Sequence, residues 1–221
     1  MKERALEGWV PKTVTGKLVK SGELTSIEQV WARNLPVIEP EIIDFLLPGL
    51  HESVIDTRKT ARVNRSGRRF SFSSAVLVGD GNQYIGIGLA ADKEKFGSVE
   101  KALRKAKLSL VKVNKGCGSW ECICNNPHSV PFKVVGKCAS VRVNLFPAPK
   151  GTGLVVGDHI KNVFRFAGIK DVWCQTRGAS TTKFNFVRAA VDALAQTDRV
   201  RASNEMMQKI TLRPHAREER E

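Results

Sequence analysis

Apolar and polar positions along the chain change their spacing in ways that divide it into segments. Up to about residue 50 the apolar residues come in short bursts separated by Gly, Pro and Asn, which predicts brief helical pieces. Thr25-Ser26-Ile27-Glu28 has the spacing of a capping box and predicts a short helix carrying Val30 and Trp31. Glu39 to Leu47 places Ile42, Ile43, Leu46 and Leu47 at helical spacing and stops at Pro48-Gly49. The stretch from Trp9 to Lys20 is basic and reads as partly extended, without a fold of its own.

Beyond Ser53 the period shortens to two. Val54–Val63, Arg69–Val78 and Tyr84–Leu89 read as three strands. Phe70, Phe72, Val76 and Val78 share one parity, so the pattern assigns all four to one core face. Asp80-Gly81 suits a tight hairpin turn, because both residues tolerate positive φ. Helical spacing then predicts a helix from Ser98, as N-cap, to Val113, with Val99, Leu103, Ala106, Leu110 and Val113 inward. Helix, three antiparallel strands, helix is the order of a double-stranded-RNA-binding module.

Asn114–Pro131 is a connector dense in Cys, Gly and Asn. Phe132–Leu145 predicts two strands about a turn at Gly136-Lys137, followed by a loop from Pro147 to Gly153. A helix from Gly157 to Ala167, ended by Gly168, precedes a strand at Asp171–Gln175. A last helix, Asn185–Thr197, turns Phe186, Val187, Ala190, Val191 and Leu194 inward. The fold class is therefore α+β: a double-stranded-RNA-binding-like domain followed by a small α/β domain. The expected boundaries are an extension at 1–50, the first domain at 51–114, the connector at 115–131, the second domain at 132–200 and a charged tail at 201–221.

Charge narrows the function. Thirty-six Lys and Arg against 22 Asp and Glu leave a net +14, a field that favours an acidic partner. Arg65, Arg68 and Arg69 fall at the turn between the first two strands, with Arg58, Lys59 and Arg62 beside them, all suited to phosphate. Lys101 and Lys105 lie on the polar face of the predicted helix. No long apolar run or basic amphipathic anchor accompanies the charge, so no membrane partner is expected. The opening Met1-Lys2-Glu3-Arg4 lacks an apolar signal core, and five cysteines, an odd number, suit a reducing compartment.

Other candidate chemistry is weaker. Gly86-Ile87-Gly88-Leu89-Ala90-Ala91 meets a dinucleotide fingerprint in letters, but its strand leads from a hairpin and opens no βαβ unit. Those glycines read instead as places of close approach to RNA or a neighbouring strand. Asp158-His159 sits at a helix start, where Asp complements the helix dipole. Gly151-Thr152-Gly153 has no P-loop lysine. Cys117, Cys122, Cys124 and His128 supply enough soft ligands for zinc, but their spacing is not that of a standard finger and a Cys-x-Cys pair is awkward in a tetrahedron. The competing reading is reduced cysteines packed as small hydrophobes, and no metal or cofactor is assigned. Cys138 and Cys174 read as core. Nothing here predicts an enzyme.

Gly67-Arg68-Arg69-Phe70-Ser71-Phe72, Val78-Gly79-Asp80-Gly81-Asn82 and Gly86-Ile87-Gly88-Leu89 resemble the amino-terminal domain of the universal ribosomal small-subunit protein five family. Val134-Val135-Gly136-Lys137-Cys138, Pro147-Ala148, Gly151-Thr152-Gly153, Ala167-Gly168-Ile169-Lys170-Asp171-Val172 and Val187-Arg188-Ala189-Ala190 follow in that family's order. The long extension and the cysteine-bearing connector resemble its archaeal form. The resemblance implies a cytoplasmic structural constituent of the small subunit that binds small-subunit ribosomal RNA. It further implies a place beside small-subunit protein four, near messenger RNA at its entrance, and a part in translational accuracy. The second domain is expected to add RNA contacts through Lys137, Lys150 and Arg177 and a protein-interface contact through Arg142; the resemblance places Arg142 and Lys150 near the part that faces protein four, so the assignment of those two is shared. A free double-stranded-RNA-binding regulator is the alternative; a phosphoryl-transfer enzyme finds neither nucleotide loop nor metal carboxylates.

Overall fold

The computed structural model describes residues 9–122, 124 and 126–199; the predicted tail at 201–221 and the start of the extension lie outside them. Among the described residues the fold is α+β with two four-stranded sheets. One compact unit takes the chain up to Val78 with Gly86–Leu110, and the other takes Gly79–Ile85 with the chain from Val111 onward.

The extension has a core of its own, contrary to the expectation of a partly extended segment at Trp9–Lys20. Helices α1 (Val14–Lys20), α2 (Ile27–Ala32) and α3 (Pro40–Leu46) enclose Val19, Leu24, Val30 and Ile42, with Trp9, Leu18, Leu35 and Val37 packed around them. Glu39 gathers the start of this segment. Its carboxylate accepts from Trp9 Nε1 at 2.9 Å and from the backbone N–H groups of Lys12 and Thr13 at 2.9 and 2.7 Å. The capping box falls one residue later than the sequence pattern suggests. Ser26 caps α2 by accepting from Gln29 N, and Gln29 Oε1 accepts from Thr25 N at 3.0 Å.

The first sheet runs β1 (His51–Asn64), β2 (Gly67–Gly79), β3 (Tyr84–Asp92) and β4 (Leu110–Lys112), in that order. Helix α4 spans Lys95–Leu108, so the end of the predicted helix is in fact a fourth strand. Glu94, not Ser98, stands at its N-cap. Ser98 is instead a buried hydroxyl that donates to Lys95 O at 2.7 Å and lies 2.6 Å from Ser74 Oγ. Gly86 and Gly88 are positions of close approach, but to the helix: a Cβ on either would strike the carbonyl of Ala106 or Ala102. Lys107, 7 % exposed, joins α4 to α3 through an ion pair with Asp44 at 2.7 Å.

Two details of the β2 reading change. From Ser74 to Gly79 every residue is buried, whatever its parity, whereas Phe70 is 48 % exposed. The reason is length: β3 has nine residues against thirteen in β2, so the outer end of β2 has only β1 beside it. The connection at Asp80-Gly81 is also longer than a two-residue turn. Asp80 Oδ1 accepts from the N–H groups of Asn82, Gln83 and Tyr84 at 2.8, 2.8 and 2.9 Å, which organises a loop from Asp80 to Gln83.

The second sheet has the order β5 (Val134–Cys138), β6 (Val141–Pro147), β8 (Val172–Arg177), β7 (Leu154–Val155), antiparallel except for the β7–β8 pair. Helix α5 is Asp158–Phe166 and α6 is Lys183–Ala195. Gly136 lies within β5 and makes no turn. It faces α6, where a Cβ would meet the Ala189 carbonyl, and the turn is at Ala139-Ser140 with Ala139 at φ +53°. Val141, Val143 and Leu145 of β6 bury against Val187, Ala190 and Leu194 to form this unit's core.

Candidate nucleic-acid interface

β1 and β2 extend beyond the rest of their sheet as a two-stranded arm. Its turn is Arg65-Ser66, and Gly67 at φ +112° re-enters the ladder in a conformation that disfavours any side chain. All thirteen residues from Arg58 to Phe70 are exposed, and they include six basic residues and no acidic one. Arg62, Arg65, Arg68 and Arg69 have no acidic partner among the described residues. Two of the other predicted contacts are partly engaged within the chain. Arg58 Nε lies 2.6 Å from Asp56 Oδ2, and Lys59 Nζ sits 3.9 Å from the centroid of the Phe70 ring. Phe70 therefore serves as a platform for a cation, not as core.

On α4, Lys101 pairs with Asp92 at 2.7 Å, and Lys105 Nζ donates to Leu89 O at 3.3 Å. The Lys101 ammonium, helped by the Lys93 N–H, holds the Asp92 carboxyl below its ordinary range despite partial burial. Both lysines remain solvent-exposed.

In the second sheet the register assembles a second basic surface. Lys137 on β5 stands opposite Arg142 on β6, and Arg142 stands opposite Arg177 on β8. The three form one row on the sheet face opposite α6, and each is exposed. Further along the same face Phe146 opposes Trp173, with Lys133 Nζ 4.9 Å from the Phe146 ring. The alternation of Arg142, Asn144 and Phe146 with Val141, Val143 and Leu145 carries this face in the sequence, but pairing across strands does not show there. Lys150 is not part of the row. It is exposed on the Pro149–Gly153 loop, and its backbone N–H reaches the Cys122 sulfur.

The connector brings a further set of residues together. Cys117, Cys122 and Cys124 Sγ and a nitrogen of His128 all lie within 4.8 Å of one another. Cys124 Sγ is 2.9 Å from Cys122 Sγ and 3.5 Å from Cys117 Sγ, and His128 Nε2 is 3.6 Å from Cys122 Sγ. Hydrogen bonds from the Cys124 thiol, the Cys124 N–H and the Lys150 N–H pull the Cys122 thiol down to about 6. Burial, with the neighbouring Cys124 and Cys122, pushes Cys117 up to about 12. Cys138 and Cys174 stand apart as half-buried strand residues, and burial raises the Cys174 thiol to about 11.

Two family models match the chain. "Ribosomal protein S5, N-terminal domain" covers residues 50–114, and "Ribosomal protein S5, C-terminal domain" covers residues 136–209. Among similar proteins, small ribosomal subunit protein uS5 of Methanocaldococcus jannaschii is 44 % identical over 205 residues, covering 93 % of this chain and 94 % of its own. Its counterpart in Aeropyrum pernix is 50 % identical over 194 residues, covering 88 % of this chain and 89 % of its own. That of Staphylothermus marinus is 49 % identical over 195 residues, covering 88 % and 91 %. With both domains matched in order and archaeal relatives aligned nearly end to end, the chain belongs to the uS5 family of ribosomal proteins, archaeal type.

Proposed function

We propose that this protein is a non-enzymatic structural constituent of the small ribosomal subunit, in the cytoplasm, that holds small-subunit ribosomal RNA through two basic surfaces. The observation that carries the proposal is the β1–β2 arm: thirteen exposed residues, six of them basic, with Val63 and Phe70 also in solvent. A two-stranded ribbon without a core under it is marginal in water, and its exposed charge repels itself. Phosphate relieves both costs. The arm inserts Arg62, Arg65, Arg68 and Arg69 among RNA phosphates, with Arg58 and Lys59 along its flank. Lys101, Lys105 and Lys150 add weaker contacts, and RNA geometry supplies the selectivity.

The row of Lys137, Arg142 and Arg177 takes a second anionic partner. Lys137 and Arg177 are assigned to RNA. Arg142 is assigned to the interface with small-subunit protein four, whose carboxylates and the RNA phosphates offer an arginine the same kind of partner. That position, near messenger RNA at its entrance, gives the protein its part in translational accuracy. Both assignments draw on the family resemblance.

Sedimentation of cell extract through a magnesium-containing gradient tests the proposal. The protein is expected to travel with the small subunit and to stay there after a moderate salt wash. Recovery only at the top of the gradient would contradict it and favour a free RNA-binding regulator.

A further inference from the structure

We propose that Cys117, Cys122, Cys124 and His128 bind one structural zinc ion through three sulfurs and His128 Nε2, with Asp171 orienting the imidazole. A tetrahedral ion with sulfur at about 2.3 Å and nitrogen at about 2.0–2.1 Å keeps its ligands roughly 3.5–3.8 Å apart. The observed separations of 2.9, 3.5 and 3.6 Å, and the 4.8 Å limit on the whole set, bracket that edge. Shifts of under an ångström would admit the ion.

The competing readings fit less well. Thiols that only filled space would not need a buried imidazole among them backed by a carboxylate, yet His128 converges with the three sulfurs within 4.8 Å and has Asp171 behind it. A disulfide would need about 2.05 Å.

The surrounding backbone is arranged to hold the four ligands. Gly116 and Ser129 exchange two hydrogen bonds of 2.9 Å, so the neighbours of Cys117 and His128 are clamped together. A Cβ on Gly118 would collide with the Pro131 carbonyl, which explains glycine beside the first ligand. Cys122 N donates to Ser119 O at 3.3 Å, turning the chain back toward Cys117.

Asp171 supplies what a zinc-bound histidine ordinarily has. Its Oδ2 is 2.8 Å from His128 Nδ1, close enough to bond but off the axis for a formed hydrogen bond. A small rotation of the ring aligns it, placing the proton on Nδ1 and the lone pair of Nε2 toward the sulfurs. Oδ1 of the same carboxylate accepts from Gly151 and Gly153 N–H at 3.1 and 2.8 Å, which fixes it in place. His128 O also accepts from the N–H groups of Lys170 and Asp171 at 2.9 and 3.1 Å. Three thiolates and one imidazole fill the tetrahedron and leave no open position, so the ion is structural. Through Asp171, which also holds Gly151 and Gly153, it ties the connector to the loop after β6 and to the residue before β8.

Metal analysis of the full-length protein, purified without chelator, is expected to give one zinc per chain. Replacement by Co2+ should produce the intense visible bands of tetrahedral thiolate coordination. Cys124→Ser should abolish stoichiometric metal. Asp171→Asn should keep the Co2+ band shape but weaken zinc affinity 10–100-fold in competition with a chromogenic chelator. Should Cys124→Ser not fold, the Co2+ spectrum of the unaltered protein still decides. A metal-free native protein with no Co2+ thiolate bands, a Cys122–Cys124 disulfide found by mass spectrometry, or full zinc retention in both Cys122→Ser and Cys124→Ser would overturn the proposal.

Discussion

Arg142 on β6 stands directly opposite Arg177 on β8. Like charges so placed oppose each other by a few tenths of a kcal/mol to about 1 kcal/mol, so their presence argues for a partner that separates or neutralises them. Arg177→Gln should therefore raise the stability of the free protein by about 0.2–1 kcal/mol while weakening its binding to ribosomal RNA. Paired denaturation and RNA-binding measurements would show the two effects moving in opposite directions. A loss of stability would remove the argument that this row is held for its partner.

At the hairpin the effect should be purely one of binding. Arg68→Ala or Arg69→Ala removes a side chain exposed on a turn, and stability should change by no more than about 0.5 kcal/mol. Each should flatten the dependence of log affinity on log salt by about 1. An unchanged salt slope would place phosphate contact elsewhere.

Lys107 shows the opposite behaviour. It is nearly buried and paired with Asp44, so Lys107→Ala leaves a partly buried carboxylate without its cation. The expected cost is about 2–3 kcal/mol, below that of a fully buried pair because Asp44 keeps some solvent. Thermal unfolding of the variant checks it, and Lys107→Arg should recover part of the loss.

Glu39 gives a pH signature. Its slight burial raises the carboxyl, but hydrogen bonds from Thr13, Lys12 and Trp9 outweigh that and hold it below the ordinary value of 4.5. Because the folded value is depressed, its contribution is full above 4.5 and is lost as pH falls through the lower, folded value. The protection of the Lys12 and Thr13 amides, measured against their intrinsic exchange rates, should therefore fall on acidification below that point. In Glu39→Gln that protection should be lower throughout and lack the dependence.

The helices and most strands are legible in the sequence because their period is carried by large side chains such as Ile42, Val76 and Val143. The corrections fall where small residues serve packing. Gly136 looks like a turn glycine, yet it is a flat place in a strand against the backbone of α6, and Gly86 and Gly88 do the same against α4. Phe70 keeps the alternation of a core residue in a region where the sheet has run out of neighbours. The basic tip is legible from composition and turn spacing. The row of Lys137, Arg142 and Arg177 is not, because cross-strand register is a property of pairing. The cysteine cluster fails any sequence template because the Gly116–Ser129 clamp, not regular spacing, brings its ends together.

The most direct test of RNA binding by the arm is a photocrosslinking residue placed at Ser66, between Arg65 and Arg68, in protein assembled into small subunits. Crosslinks concentrated on small-subunit ribosomal RNA are expected, and they should diminish with Arg65, Arg68 and Arg69 all changed to Ala. Crosslinks only to protein, or none at all from a tip that is fully exposed in the free chain, would contradict the account.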